Sequence, residues 1–223
     1  AEVVTRVPLY LVNSVNPFRI EGQKTAAVEM IDQMGWRAPD HVVVPGGNLG
    51  NSSAIGKGLV ELQARGLIDR LPKLSVVQAE GANPLARWLR GGRQGDLESV
   101  VAKTAATAIQ IGNPASWKKA ARVLDATGGA CVEVSESEIE RAKAEIGGEG
   151  IGCEPASAAA LAGARKLIAS GFIGREEAAV LLLTGHVLKD PEYTLQRRQG
   201  ELLDVADADA IVRAMETNHG PRF

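Results

Sequence analysis

A turn rich in glycine and asparagine separates a β-branched run from a helical pattern in the first quarter of the chain. The run is Val42–Val44, the turn is Gly46–Asn51, and the helical pattern begins at Ser52. Glycine lets the backbone approach a ligand closely, and the amide groups at a helix N-terminus favour an anion. The spacing matches neither the GxGxxG nor the GxxxxGK[ST] pattern. The turn therefore predicts a phosphate cradle of another kind, with a ligand-free turn of an α/β fold as the alternative.

Charge and aromatic content argue against two classes of partner. The chain has 223 residues, and its 25 basic and 27 acidic side chains give a net charge of −2. No long run of one sign is present, and aromatic residues make up only 4%. Nucleic acids and anionic membranes select basic patches, and base stacking requires aromatic rings. We therefore expect neither nucleic acid nor a membrane as a partner.

The positions of cysteine and histidine bear on the cellular compartment and on metal binding. Cys131 and Cys153 show no CxxC spacing, which is typical of a reducing compartment. His41, His186 and His219 are scattered, so no metal site is visible in local sequence. The sequence also contains no signal peptide and no apolar run of membrane-spanning length. A cytoplasmic protein is the expectation.

Apolar runs alternate with helical patterns along the chain, which predicts an α/β fold with a mostly parallel sheet and flanking helices. Strands are predicted at Val7–Val12, His41–Val44, Leu74–Gln78, Ala130–Val134 and Ala179–Leu183. Helices are predicted at Gln23–Met34, Ser52–Ala64, Ala115–Ala126, Glu136–Ile146 and Ser157–Ala169. A capping box at Ser135 opens the fourth of these helices, and a weak helical pattern covers Asp204–Glu216.

Five segments, taken in order, carry a resemblance to a known family. They are Asn13–Thr25, Gly46–Asn51, Ile111–Trp117, Glu154–Ala160 and Leu183–Pro191. Together they resemble the threonine synthases, which are pyridoxal phosphate (PLP) enzymes of fold type II, and the resemblance covers about Leu11 to Pro191. It implies the large domain of a fold like that of the tryptophan synthase β-subunit. The second and fourth segments alone would indicate only the wider group, which includes threonine dehydratases and cysteine synthases.

The resemblance implies where the cofactor binds. Gly47, Asn48, Leu49, Gly50 and Asn51 match the family loop that holds the PLP phosphate, where the residues themselves already predict an anion. Thr184 matches the position whose hydroxyl bonds the pyridine nitrogen. A neutral hydroxyl leaves that nitrogen unprotonated and makes the ring a milder electron sink. Without the family context, Thr184 is a turn residue at the end of a strand.

The resemblance also implies the substrate. Threonine synthases convert O-phosphohomoserine and water to threonine and phosphate, so a second anion site is needed. Asn13, Ser14 and Arg19 match the family positions that hold the substrate phosphate. Arginine suits this role because its guanidinium is always charged and binds in a bidentate manner. The alternative is a loop of turn residues with Arg19 on the surface.

No catalytic residue is assigned in this chain. The family's Schiff-base lysine lies upstream of Asn13, in a region that this sequence lacks, and Lys24, Lys57 and Lys189 do not match it by motif. Lys24 is better explained as a residue on a helix face. We therefore expect the chain to be the C-terminal portion of a threonine synthase, inactive in isolation, from a family of homodimers.

The expected domain organisation follows from the same resemblance. Residues 1–20 would end the small domain, residues 21–191 would form part of the PLP-binding large domain, and residues 192–223 would form a tail. Val187 stands where the family usually has glycine. A β-branched residue resists a positive φ angle, so the loop around His186 is expected to differ from the family geometry.

Two further functions stay open on the sequence. Another fold-type-II lyase, such as a threonine dehydratase, would have no use for Arg19 because its substrate carries no phosphate. A non-catalytic module that binds PLP or another phosphate ester would explain why no lysine matches the Schiff-base position.

Overall fold

A computed structural model describes Arg6, residues 16–197 and residues 209, 210 and 213. The chain divides into two compact units, Ala1–Lys189 and Asp190–Phe223. The predicted strand Val7–Val12 lies outside the described residues, as does most of the predicted helix Asp204–Glu216. The domain boundaries expected near residues 20 and 191 stay predictions.

The first unit is built on a four-stranded sheet in the order β3-β2-β1-β4. The strands are β1 His41–Pro45, β2 Lys73–Ala79, β3 Cys131–Val134 and β4 Ala179–Leu181. Every neighbouring pair is parallel, with Val43 opposite Ser75 on one side and Leu181 on the other. The prediction of a parallel sheet is therefore confirmed, although β4 ends before the predicted Leu183.

Helices flank this sheet, and most lie where the sequence predicts them. They are α1 Pro17–Gln23, α2 Thr25–Gln33, α3 Gly50–Ala64, α4 Pro84–Arg90, α5 Trp117–Thr127, α6 Glu136–Gly148 and α7 Pro155–Ala169. The capping box is confirmed, because Ser135 Oγ accepts from Glu138 N while Glu138 accepts from Ser135 N. The prediction missed α1 and α4, and it merged the end of α1 with α2.

Both faces of the sheet are covered, as parallel strands require. Val43 and Val77 pack into a core formed with α6 and α7. Val42, Val44 and Val76 pack on the opposite face against α2, α3 and α5. Each of these valines is essentially fully buried, and burial of one contributes about 1.5–3 kcal/mol. The alternating valines therefore fix the register of the sheet between two helical layers.

The small residues of α7 allow a close approach between helix and sheet. A Cβ on Gly163 would lie 2.2 Å from Val77 Cγ2, so a larger residue would push the helix away. Ala158, Ala159 and Ala160 are completely buried. The N-terminus of α7 is therefore held beside the carboxyl ends of the strands, where open parallel sheets bind their ligands.

The second unit begins with a helix where the sequence predicts only a tail. α8 spans Pro191–Arg197, and Tyr193 N donates to Asp190 Oδ1 at 3.3 Å just before its first turn. Among the described residues of the chain, no helix has both the length and the apolar character needed to cross a membrane.

Candidate functional site

A cavity of about 510 Å³ opens at the carboxyl end of β1. It is lined by Arg19, Thr184 and all five residues of the loop Gly47–Asn51. The structure thus brings together every predicted cofactor residue and one predicted substrate residue. Asn13 and Ser14 lie outside the described residues, so their placement stays a prediction.

The loop turns into α3 through a left-handed residue. Leu49 has a φ of 63°, which is uncommon for a residue with a side chain, and that side chain is buried. It is the N-cap of α3 and makes no side-chain capping bond. Gly50 and Asn51 follow as the first helical residues and line the cavity. The helix therefore presents its uncapped, electropositive end to the cavity, as an anion site requires.

Two glycines of this loop are needed because other atoms lie close to them. A Cβ on Gly47 would lie 2.9 Å from the carbonyl oxygen of Ala108. A Cβ on Gly46 would lie 2.5 Å from Val76 Cγ1. The Cβ of an alanine at position 50, in contrast, would meet only Gln23 Oε1, at 3.7 Å. Gly46 and Gly47 therefore allow the loop to pack closely against its neighbours, whereas Gly50 leaves open space at the cavity.

Asn48 is anchored by the segment that precedes α5. Ala115 N donates to Asn48 Oδ1 at 3.3 Å, and Ser116 N donates to the Asn48 carbonyl at 3.1 Å. Ser116 is the N-cap of α5 but makes no side-chain capping bond. Trp117 stacks edge-on against Trp88, with ring centroids 5.0 Å apart. The segment Ile111–Trp117 therefore contributes by supporting the loop.

Thr184 is held by the start of α7. Its Oγ1 lies 3.1 Å from Ser157 Oγ and 3.3 Å from Glu154 Oε1. Ser157 Oγ in turn accepts from Gly185 N at 2.9 Å. Neither Glu154 nor Ser157 is among the site residues predicted from the sequence. The available signal was two polar residues at the head of a helix made largely of alanine.

Glu154 is a buried carboxylate at the wall of the cavity. The residue is 5% exposed and stands at the N-cap of α7, yet its side chain makes no capping bond. Its Oε1 accepts from Thr184, and its Oε2 lies 3.8 Å from Lys189 Nζ. The carboxylate is therefore turned toward the site and away from its own helix.

The charges on the cavity wall favour an anionic ligand. Among the described residues, its lining contains the cations Arg19 and Lys189 and one anion, Glu154. Gln23, one turn after Arg19 on α1, adds a neutral amide to the same wall. Opposite charges attract strongly where water is partly excluded. The wall therefore combines the N-terminus of α3 with two cationic side chains, Arg19 and Lys189.

Two of the candidate lysines are paired with carboxylates. Lys24 Nζ lies 2.7 Å from both Glu21 Oε2 and Glu61 Oε2, and these bonds raise its pKa. Lys57 pairs with Glu21 and lies 3.6 Å from Glu61 Oε1. Because a nucleophilic lysine must lose its proton, these pairings disfavour the role. Lys24 is the cap residue shared by α1 and α2, and its ion pair with Glu21 has the i,i+3 spacing of a helix face.

The backbone around His186 accommodates the β-branched side chain of Val187. Val187 begins a short 3-10 helix, Val187–Lys189, and its φ angle is not positive. Val187 N donates to the carbonyl of Gly152 at 3.2 Å. Because the backbone here is one that a β-branched residue adopts readily, the loop around His186 needs no glycine at this position.

Comparison with known proteins now places the chain in a family. The family described as "Pyridoxal-phosphate dependent enzyme" matches residues 2–185. The chain belongs to this family. Its cofactor is therefore pyridoxal phosphate, and the loop at Gly47–Asn51 lies within the matched region.

Relatives of known sequence are threonine synthases. The chain is 43% identical to that of Methanosarcina acetivorans over 93% of its length. It is 42% identical to threonine synthase 2, chloroplastic, of Arabidopsis thaliana over 92%, and 44% identical to the Mycobacterium tuberculosis protein over 83%. It covers 51%, 40% and 49% of these proteins, respectively. The chain thus spans about half the length of the curated relatives it matches.

Solved structures agree on the fold. Threonine deaminase isoform 2 of Solanum lycopersicum superposes with a TM-score of 0.64 at 20% identity, covering 82% of this chain and 50% of that one. The L-serine ammonia-lyase of the fungus Rhizomucor miehei gives a TM-score of 0.62 at 20% identity, covering 78% and 55%. The fold is therefore that of fold-type-II pyridoxal phosphate enzymes, as the sequence predicts.

The geometry of the cavity fits this cofactor. The uncapped start of α3 and the close-fitting glycine loop match its phosphate. The hydroxyl of Thr184 lies on the same cavity and can meet a ring nitrogen. The volume of about 510 Å³ lies within the range of sites for small cofactors.

Proposed function

We propose that the intact protein is a threonine synthase, which converts O-phosphohomoserine and water to threonine and phosphate with pyridoxal phosphate. The observation that carries the proposal is that Arg19 lines the same cavity as the loop Gly47–Asn51. One anion site serves the cofactor, and the other serves a phosphorylated substrate. The threonine synthases that match most of this chain at 42–44% identity support the same choice.

The cofactor would be bound by a loop, by the start of a helix and by a residue that follows a strand. The loop Gly47–Asn51 and the first turn of α3 bind the phosphate through backbone N–H groups. Asn48 is fixed by its bonds to Ala115 N and Ser116 N, and it keeps the loop in this form. The hydroxyl of Thr184 would meet the ring nitrogen. When bound, pyridoxal phosphate supplies an electron sink for negative charge that develops on the substrate.

Arg19, with Asn13 and Ser14, would bind the substrate phosphate. A guanidinium can donate two parallel hydrogen bonds to phosphate oxygens, and the amide and hydroxyl groups add neutral donors. Because phosphate is also the leaving group, its charge grows as the C–O bond breaks. Arg19 therefore stabilises the departing phosphate as well as orienting the substrate.

The covalent attachment of the cofactor is proposed to depend on a lysine outside this sequence. Lys24 and Lys57 are paired with carboxylates, and Lys189 does not match the family position. We therefore expect the 223-residue chain to bind the cofactor and the substrate without turnover. The homodimer implied by the resemblance and the cytoplasmic location expected from the sequence also stay predictions.

Phosphate release tests the activity. The intact protein, with and without pyridoxal phosphate, should release phosphate from O-phosphohomoserine only when the cofactor is present. Ammonia release from threonine or serine, with no phosphate release from O-phosphohomoserine, would instead identify a threonine dehydratase. Reversible cofactor binding with neither activity would identify a binding module.

Binding tests the site in the 223-residue chain itself. Pyridoxamine 5′-phosphate is a suitable probe because it has no aldehyde and cannot form imines with surface lysines. Saturable binding that inorganic phosphate competes away supports the cradle at Gly47–Asn51. Binding that survives the Gly47→Ala substitution without loss of affinity would contradict it.

A further inference from the structure

The contact between Glu154 and Thr184 has a consequence for any ring nitrogen that Thr184 meets. A threonine hydroxyl has one proton to donate and two lone pairs to accept with. Among the described residues, Thr184 Oγ1 has two hydrogen-bonding neighbours, Glu154 Oε1 at 3.3 Å and Ser157 Oγ at 3.1 Å. The direction of that one proton decides whether the hydroxyl can donate to a ligand.

Of the two neighbours, the carboxylate is the stronger acceptor. A carboxylate oxygen only accepts, and its bonds to hydroxyl groups are charge-assisted. Ser157 Oγ already accepts from Gly185 N at 2.9 Å, and its own proton can go to Thr184 Oγ1 or to the Gly185 carbonyl at 3.3 Å. The proton of Thr184 is therefore drawn toward Glu154.

The fold makes room for this contact at the expense of other interactions. A Cβ on Gly185 would lie 2.2 Å from Glu154 Oε1, so a larger residue at position 185 would displace the carboxylate from its present position. The carboxylate is buried and leaves the end of its own helix uncapped. Burial of a charged group is unfavourable unless it has partners. These features indicate that the carboxylate is placed for a ligand in the cavity.

We propose that Glu154 is a positioning residue that acts through Thr184: its carboxylate holds the hydroxyl proton of Thr184 and thereby favours the protonated form of the cofactor's ring nitrogen. The inference rests on the proposed cofactor site and deepens it. It also qualifies the expectation that a neutral hydroxyl alone sets the state of the ring, because a negative charge lies one hydrogen bond behind that hydroxyl.

Other charges around the site set the size of the effect. Lys189 Nζ lies 3.8 Å from Glu154 Oε2 and partly offsets its charge, but its side chain is 63% exposed and therefore well solvated. Arg19 lines the cavity from α1. His186, the neighbouring titratable group, accepts from Leu188 N through Nδ1 at 3.2 Å. Glu154 is therefore the anion that faces Thr184 most directly.

The test is a pH titration of pyridoxamine 5′-phosphate, labelled with ¹⁵N in the ring and bound to the 223-residue chain, followed by NMR. In Glu154→Gln the midpoint of ring-nitrogen protonation should fall by about one pH unit. In Lys189→Gln it should rise, because the offsetting cation is gone. Opposite shifts cannot arise from loss of structure alone. Glu145→Gln, which changes an exposed carboxylate on α6, is the matched control.

A further variant separates action through Thr184 from action through space. In Thr184→Val the Glu154→Gln substitution should shift the midpoint by less than it does in the wild-type background. An equal shift in both backgrounds would overturn the role of Thr184, and equal midpoints for wild type and Glu154→Gln would overturn the inference altogether. If the probe fails to bind the wild-type chain, the proposed cofactor site is wrong and this inference falls with it.

Discussion

Ser53 Oγ donates a 2.6 Å hydrogen bond to the carbonyl oxygen of Leu49, the left-handed residue at which the glycine loop becomes α3. Ser52 Oγ donates to the same oxygen at 3.0 Å, and Ser53 N does so at 3.2 Å. In a trans peptide the carbonyl and the next N–H point in opposite directions. Because the Leu49 carbonyl is turned into the helix, Gly50 N–H is turned outward at the cavity.

Removing the shortest of these bonds should weaken anion binding. Ser53→Ala should lower the free energy of unfolding by about 1 kcal/mol, because the carbonyl keeps its other donors. Binding of inorganic phosphate, measured by calorimetry, should weaken several-fold because Gly50 N–H is less firmly oriented. Ser99→Ala in an exposed loop is the control. Unchanged phosphate affinity in Ser53→Ala would show that the serine is not needed for the cradle.

The two kinds of glycine in the loop should respond differently to alanine. Gly47→Ala forces a methyl group against the Ala108 carbonyl and should lower the free energy of unfolding by about 1–3 kcal/mol as well as abolish phosphate binding. Gly50→Ala meets only Gln23 and should leave stability unchanged or slightly raised, because alanine favours the helix. Its methyl nevertheless occupies the space beside the helix N-terminus and should weaken phosphate binding.

Urea denaturation and phosphate titration of both variants check this pair. Equal losses of stability in Gly47→Ala and Gly50→Ala would contradict the distinction between Gly47, which neighbouring atoms crowd, and Gly50, which borders open space. Full phosphate binding by Gly50→Ala would show that the anion does not lie at the first turn of α3.

Much of the fold could be predicted because its determinants are local. The valine run of β1 is buried on both faces, and its β-branched residues alone indicate a strand in a covered sheet. The helices α1 and α4 could not be predicted in this way because each has only seven residues, too few to show a hydrophobic period. Both begin at a proline, and in α1 Asn16 Oδ1 accepts from Phe18 N at 2.9 Å. Such capping interactions involve only one or two neighbouring residues. The residues that make them, here proline and asparagine, are also common in loops.

Only the part of the site that lies within a single sequence segment could be predicted. The loop at Gly47–Asn51 indicates an anion site through its own composition. The support of Asn48 by Ala115 joins residues 67 positions apart, and the contact of Glu154 with Thr184 joins residues 30 positions apart. Contacts of this kind depend on how α5 and α7 pack against the sheet. No local pattern in the sequence indicates them.

Arg19 should be needed for the substrate but not for the cofactor. Arg19→Ala should weaken binding of O-phosphohomoserine by roughly ten- to a hundredfold, as expected for lost charge-assisted hydrogen bonds. The affinity for pyridoxamine 5′-phosphate should be unchanged, because its phosphate binds at the loop. Arg122→Ala, which removes an exposed arginine on α5, is the control, and both affinities come from calorimetry. Loss of the cofactor analogue in Arg19→Ala would instead place this arginine at the cofactor phosphate.

Glu177 should make the stability of the protein depend on pH. It contacts the start of β1, at the end of the sheet that lies away from the cavity. Its carboxylate accepts from Gly174 N at 2.6 Å and lies 3.0 Å from His41 Nε2, and these contacts lower its pKa from the ordinary value of 4.5. A lowered pKa in the folded state stabilises the protein above pH 4.5, and this contribution is lost as the pH falls toward the folded value. Glu177→Gln should therefore be less stable than wild type at neutral pH, and the difference should shrink below pH 4.5. Urea denaturation across this range, with Glu176→Gln as the matched neighbour, checks the sign, and a difference that grows in acid would contradict it.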